Sequence, residues 1–398
     1  MIRRFCFFAA VSLGTLAAER LTNTTVSIDE RIAVIQRRFQ QAPDDAAVRD
    51  ALAGAFLQKM RETGDGAYLE RAAQLVTGIL RADPGKYEAR RRELEIEMHR
   101  HHFTKVIALS AELGKEKPED TVVWGLRGDA YMELGEYDRA ADEYQKMVDL
   151  RPSLASYNRV AFYRFVTGDA EGAIHIMRQA IGIGSPEPEN QAWCLTELGD
   201  MLLKAGRTDE AEQAYDEALA LFPGSHHALA GQGRVRAARG KFREAIPLFI
   251  RAQAKVPLPE YSGMLAKLYR KIGDDALARK QVALLDVTDK MDRFAGQAAN
   301  RKLALALADL EHRVDRALEL ARAELEVRRD VYTYDALAWA LYRNGKISEA
   351  EAAMQKALSQ NTPEPSFHYH AACIYETLGR TDEARRHQAE VQYEPSAF

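Results

Sequence analysis

Hydrophobic and polar positions follow a helical period along most of the chain, and the pattern itself recurs. The segment DALAWALYRNGKISEAEAAMQKAL (335–358) shows the unit. Small residues stand where its two amphipathic helices would touch, Trp339 and Tyr342 fall off that contact face, and Asn344-Gly345 breaks the run between the helices. The same triplet of a small residue, a turn residue and an alanine marks the other units, always spaced by seven and then five positions. Gly128/Gly135/Ala140, Ala161/Gly168/Ala173, Gly199/Gly206/Ala211 and Gly233/Gly240/Ala245 are followed by Ala266/Gly273/Ala278, Ala338/Gly345/Ala350 and Ala372/Gly379/Ala384. Prolines at 84, 118, 152 and 186 stand 34 residues apart, with two more at 223 and 257.

These spacings predict helical hairpins. The two small residues let the paired helices approach, glycine supplies the left-handed residue that ends the first helix, and proline stops the second. A hairpin with two apolar faces cannot bury both alone, so the units must stack. The expected fold is an all-α, right-handed superhelical solenoid of about ten antiparallel helix pairs. Two intervals are longer than the rest, and GIGSPEPEN (182–190) and VTDKMDRFAGQ (287–297) are expected to be lengthened connections between repeats. Ser27-Ile-Asp-Glu30 has capping-box spacing and opens a helix to about Gln40 that caps the array.

Trp124, Gly128, Tyr131, Ala140, Tyr144 and Pro152, and again Leu195, Leu198, Gly199, Ala211, Tyr215 and Pro223, resemble the tetratricopeptide repeat signature. The resemblance is strong over 121–398. It is looser over 44–118, where Leu94 replaces the small residue, and over 298–330, where Leu305 and His312 replace the small residue and the glycine. The expected organisation is therefore a capping helix with degenerate repeats over 27–118, then repeats over 121–186, 192–292 and 298–398. More narrowly, DALAWALYRNG and FHYHAACIYETLGR are similar to the last two repeats of a group of bacterial tetratricopeptide proteins without an assigned biochemical role.

The resemblance implies that an inner, concave wall binds peptides. Counting each first helix from Thr121 or its equivalent, positions 4, 7, 8 and 11 form the core stripe and 2, 5, 9 and 12 face that wall. Tyr332, Trp339, Tyr342 and Tyr369 occupy wall positions, and Arg343 borders them. They are expected to form an aromatic binding platform; the alternative is that they pad the contact between repeats. Arg234, Lys267, Arg270, Lys271 and Lys302 stand on the same wall against Glu260 and Asp309, which suits an acidic peptide or a terminal carboxylate.

Composition narrows the remaining classes. Lys+Arg number 55 against 59 Asp+Glu, a formal charge of −4 that argues against a nucleic-acid binder. Met1-Ile-Arg-Arg followed by an apolar run from Phe5 to Ala18 has the layout of a secretory signal over 1–18, too short to span a membrane. It predicts an exported protein, periplasmic or extracellular. Cys194 and Cys373, far apart in sequence, read as separate buried thiols.

His99-Arg-His101-His102 is a clustered metal candidate, but it lacks converging ligands and reads as a solvated turn. Asp309-Leu-Glu-His312 reads as a turn whose side chains cap backbone groups. No phosphate loop, nucleophile elbow or zinc-protease motif occurs, so neither enzyme activity nor a cofactor is expected. The expected function is a protein-interaction scaffold. The alternative is a hydrolase or metal-binding envelope protein built on the His-rich turns. The C-terminal hairpin, without a solvating helix after it, is a candidate self-association surface.

Overall fold

A computed structural model describes residues 27–185 and 187–391; the 1–18 segment lies outside the described residues, as do Pro186 and the chain after Val391. Among the described residues are 21 α-helices, one short 3-10 turn and no strand. Successive helices pair antiparallel, so the fold is an all-α solenoid. The chain divides into two compact units between Arg92 and Glu93, within the helix Tyr87–His99.

In the first unit Ser27 and Glu30 form the capping box that starts Ile28–Gln41. This helix is tied to Ala46–Thr63 by Lys59–Asp29 at 2.7 Å and by Arg31 donating to Gln58 at 2.9 Å. Arg92 forks onto the Asp50 carboxylate at 3.0 and 3.1 Å.

The second unit shows why the small first-helix position is needed. A Cβ on Gly128 would meet the Tyr144 ring at 2.4 Å, and one on Gly199 would meet Tyr215 at 2.6 Å. Each tyrosine of the second helix thus lies flat in a notch on the first. The Tyr144 hydroxyl then donates to Asp129 at 2.9 Å, and Arg159 of the next repeat clamps the same carboxylate at 2.8 Å. Tyr215, Asp200 and Arg234 repeat the arrangement one step on. Packing within a repeat and contact between repeats therefore share one carboxylate.

One expectation about connections needs correction. Residues 287–294 are helical: Asp275–Phe294 runs for 20 residues because no glycine or proline interrupts it before Gly296. The Arg301–Asp309 helix ends without a glycine, with Glu311 at φ 53° and Arg313 at φ 50° taking the left-handed conformation instead.

The second unit closes on itself. Arg328 binds Glu133 at 2.6 Å, the Arg329 amide donates to the Glu133 carbonyl at 2.8 Å, and the Val331 amide donates to the Tyr137 hydroxyl at 2.9 Å. Thr362 donates to the Val166 carbonyl at 2.5 Å. Gly135, at φ 73°, admits this contact: a Cβ there would stand 2.5 Å from the Arg329 carbonyl oxygen. Tyr131, Tyr137, Val166, Val331 and Phe367 bury a shared apolar cluster beneath it. The helix-ending turns of the 121–168 repeats are thereby the seat for the C-terminal ones.

Candidate functional site: a basic cavity inside the solenoid

A cavity of about 680 Å³ opens on the inner face of the second unit. It is lined by first-helix residues from His226–Ala238, Pro259–Lys271, Arg301–Asp309, Val331–Arg343 and Pro365–Thr377, with the end of Pro188–Lys204. Arg234, Lys267, Arg270, Lys271, Tyr332, Trp339, Arg343 and Tyr369 all line it; Tyr342 does not.

Most of its charges are already paired. Lys204 binds Glu364 at 2.7 Å, Lys267 binds Asp309 at 2.9 Å, Lys302 binds Glu260 at 2.6 Å, and Arg234 binds Asp200. Arg301 lies on Asp330 at 2.9 Å, and Arg343 reaches Glu311 at 2.7 Å. Burial raises the Asp200 carboxyl, but Arg234 and Lys204 outweigh it and hold the group below its ordinary pKa. Arg270 and Lys271, at the end of Pro259–Lys271, are exposed. Among the described residues no carboxylate pairs with Arg270. The lining carries eight Lys/Arg against five Asp/Glu, so positive charge prevails there in an acidic protein.

Trp339 is not an open platform. Its indole is 1 % exposed and lies between Tyr342, stacked at 5.1 Å, and His370, stacked at 4.0 Å. Its Nε1 donates to Asp309 at 2.8 Å, and Arg343 covers the ring at 4.3 Å. His370 in turn binds the buried Asp335 at 2.8 Å, and burial raises the pKa of that carboxyl despite the imidazole. Asp309 thus serves Trp339 and Lys267 rather than capping backbone, and His312 pairs with Asp286 at 3.0 Å. Tyr332, by contrast, meets Phe367 edge-on at 5.3 Å.

Several lining residues lie outside the set predicted for the wall. Asp335 stands at wall position 5 and was legible there. Lys204, Arg301, Glu364 and His370 fall off the wall stripe, and only the closed geometry brings them inward.

The histidine-rich turns have local partners. His102 Nδ1 lies 2.5 Å from Glu97, and His101, at φ 61°, stacks on Phe103 at 5.8 Å. Among the described residues no group of three or more His, Cys, Asp or Glu is placed to hold a metal. Cys194 is buried and Cys373 half-buried, both unpaired. No described helix is long and apolar enough to cross a membrane.

His226 is buried against the Tyr261 hydroxyl at 2.7 Å. Burial pushes its imidazole down to about 4, with Lys302 adding and Glu260 opposing. An unfolded histidine titrates near 6.5, so the unfolded chain takes the proton first as pH falls. This contribution is intact above pH ~6.5 and declines toward pH ~4, by on the order of 2–3 kcal/mol. Urea denaturation at neutral pH and near pH 4 should show a weaker acid loss in His226→Gln. An equal loss in both proteins would remove His226 from the account.

Repeated helix pairs, an inner wall and a cation-rich cavity define a helical-repeat interaction solenoid. Models of the tetratricopeptide repeat match residues 122–154, 152–224, 202–268 and 336–396, together more than half of the chain. The chain belongs to the tetratricopeptide repeat family, whose solenoids generally serve as protein-binding scaffolds. No curated protein matches it.

Among solved structures it is similar to PilW, a widely conserved type IV pilus biogenesis factor, at 17% identity and TM-score 0.44, over 51% of this chain and 93% of that one. It is also similar to the APC/C hetero-tetramer Cut9–Hcn1, at 16% identity and TM-score 0.45, over 94% and 70%. MamA matches at 23% identity and TM-score 0.33, over 40% and 91%.

Proposed function

We propose that this protein is a non-enzymatic scaffold that holds an acidic, extended segment of a partner protein in the cavity of its second unit. The observation that carries the reading is the exposed cationic end of a preformed cavity, at Arg270 and Lys271, in a lining with more Lys and Arg than Asp and Glu. A preformed cavity lowers the ordering cost on one side of the complex, and charge sets the direction of the bound segment. Tyr332 and Tyr369 supply apolar contact along the lining, and Trp339 supports it from beneath. The secretory-signal layout of the 1–18 sequence supports a periplasmic or extracellular setting for this activity.

A random-peptide display screen tests the site. Selected peptides should be rich in Asp and Glu, bind more weakly as salt rises, and lose roughly tenfold or more in affinity to Arg270→Glu/Lys271→Glu. Both side chains are exposed, so the melting temperature should hold. Peptides without acidic bias, retained equally by the variant, would place binding on another surface.

A further inference from the structure

The second helix of the repeat at 259–294 is longer than its counterparts. Tyr137–Leu150, Ala170–Ile183, Thr208–Leu221 and Phe242–Lys255 each have 14 residues, whereas Asp275–Phe294 has 20. The six extra residues extend it by about 9 Å. Along this length Leu284, Val287, Met291 and Phe294 are 43, 48, 67 and 96 % exposed. At 100° per residue they fall within an arc of about 80°, opposite the buried Ala278, Leu285 and Asp289. The helix therefore has a second apolar face, with no intramolecular partner among the described residues.

Its charges are sorted in the same way. Asp286 is engaged by His312 at 3.0 Å and Arg313 at 3.1 Å, Asp289 by Arg313 and Arg316 at 2.9 Å each, and Asp292 by Asn300 at 2.8 Å. Beyond Asp275 every acidic residue of the helix is thus turned toward the following repeat. The exposed charges beyond that point are Arg279, Lys280, Lys290 and Arg293. Lys280 lies in line with the apolar stripe one turn earlier, and Lys290 borders it. An apolar arc with Lys290 along one edge and the uncharged Thr288 and Gln281 along the other, ending on a protruding phenylalanine, is the pattern of a helix that lies in a lipid interface.

We propose that this helix docks the protein on an anionic lipid surface. Leu284, Val287, Met291 and Phe294 would enter the boundary between headgroups and acyl chains, while Lys280 and Lys290 meet the anionic headgroups. Charge disfavours a second copy as the occupant, because a paired helix would bring two sets of the same cations together. A partner helix needs a groove to lie in, whereas a bilayer accepts a single projecting edge.

The full chain is mixed with vesicles of phosphatidylcholine containing one-third phosphatidylglycerol, and separately with phosphatidylcholine alone, then sedimented. Binding is expected to the anionic vesicles and to weaken with salt. Met291→Glu/Phe294→Glu and, separately, Lys280→Glu/Lys290→Glu should each reduce it by roughly tenfold or more. Circular dichroism melting should be unchanged, because the altered side chains are exposed.

Equal binding by the variants would locate attachment elsewhere, with the apolar 1–18 segment as the first suspect, and overturn the proposal. So would equal binding to neutral vesicles. Absence of binding to either vesicle would leave the stripe to an acidic protein partner and reject a lipid one. A dimer of the unsubstituted chain in vesicle-free ultracentrifugation, lost in Met291→Glu/Phe294→Glu, would assign the face to self-association instead.

Discussion

Replacing Arg328 by alanine is expected to cost about 3–5 kcal/mol of folding free energy and to open the closed second unit. The guanidinium binds Glu133 at 2.6 Å and the nearly fully buried Glu324 as well. Its removal strands Glu324 in a site where the remaining donor is the Arg301 amide, at 3.0 Å. The pair with Glu133 also joins helices 195 residues apart, so the loss is not confined to one repeat. In an open solenoid each repeat is stabilised by its neighbours alone. Here the contact between 131–137 and 328–332 couples early repeats to late ones.

Urea denaturation measures the stability loss, and small-angle scattering measures the expansion. Arg328→Met/Glu133→Met/Glu324→Met, which removes all three charges together, should recover much of the loss, because no charge is then left buried and unpaired. An unchanged radius of gyration in Arg328→Ala would mean that the apolar cluster of Tyr131, Val331 and Phe367 closes the unit without the ion pair.

How much of this was legible follows from what each feature depends on. Hairpin positions were readable because their determinants are local: Gly135 or Gly345 ends a helix through its own backbone, and Gly128 receives Tyr144 from the adjacent helix. The wall stripe was readable for the same reason, since positions 2, 5, 9 and 12 of one helix share a face wherever the helix lies. Hence every proposed wall residue except Tyr342 lines one cavity.

Closure was not readable. Whether Arg328 meets Glu133 depends on small rotations accumulated over the intervening repeats, and no short window of sequence encodes that sum. The inward placement of Lys204 and Glu364 follows from closure and was hidden with it. The helical character of 287–294 is obscured differently: a long interval between repeat marks suggests a lengthened connection, although no glycine or proline before Gly296 breaks the helix.

Trp339 presents the sharpest division between packing and binding, and Trp339→Ala is expected to lower stability by about 3–5 kcal/mol. The indole fills the space between Tyr342 and His370, and its N–H satisfies Asp309. Truncation leaves a void, removes both stacking contacts and leaves Asp309 with Lys267 as its remaining partner. Trp339→Phe separates these contributions. A phenyl ring retains part of the stack but donates nothing, so a loss of about 1–3 kcal/mol is expected from the hydrogen bond removed at Asp309 Oδ1, while Lys267 stays on Oδ2.

Peptide affinity should then be compared in Trp339→Phe at a temperature where both proteins are fully folded. A stability loss with nearly unchanged affinity means that the ring supports the cavity from behind, and contact falls to Tyr332, Tyr369 and the cationic end. An unchanged melting temperature in Trp339→Ala with affinity abolished would mean that the indole leaves its stack to meet the ligand. The closed arrangement of Trp339, His370 and Asp335 would then be the empty state of a wall that rearranges on binding.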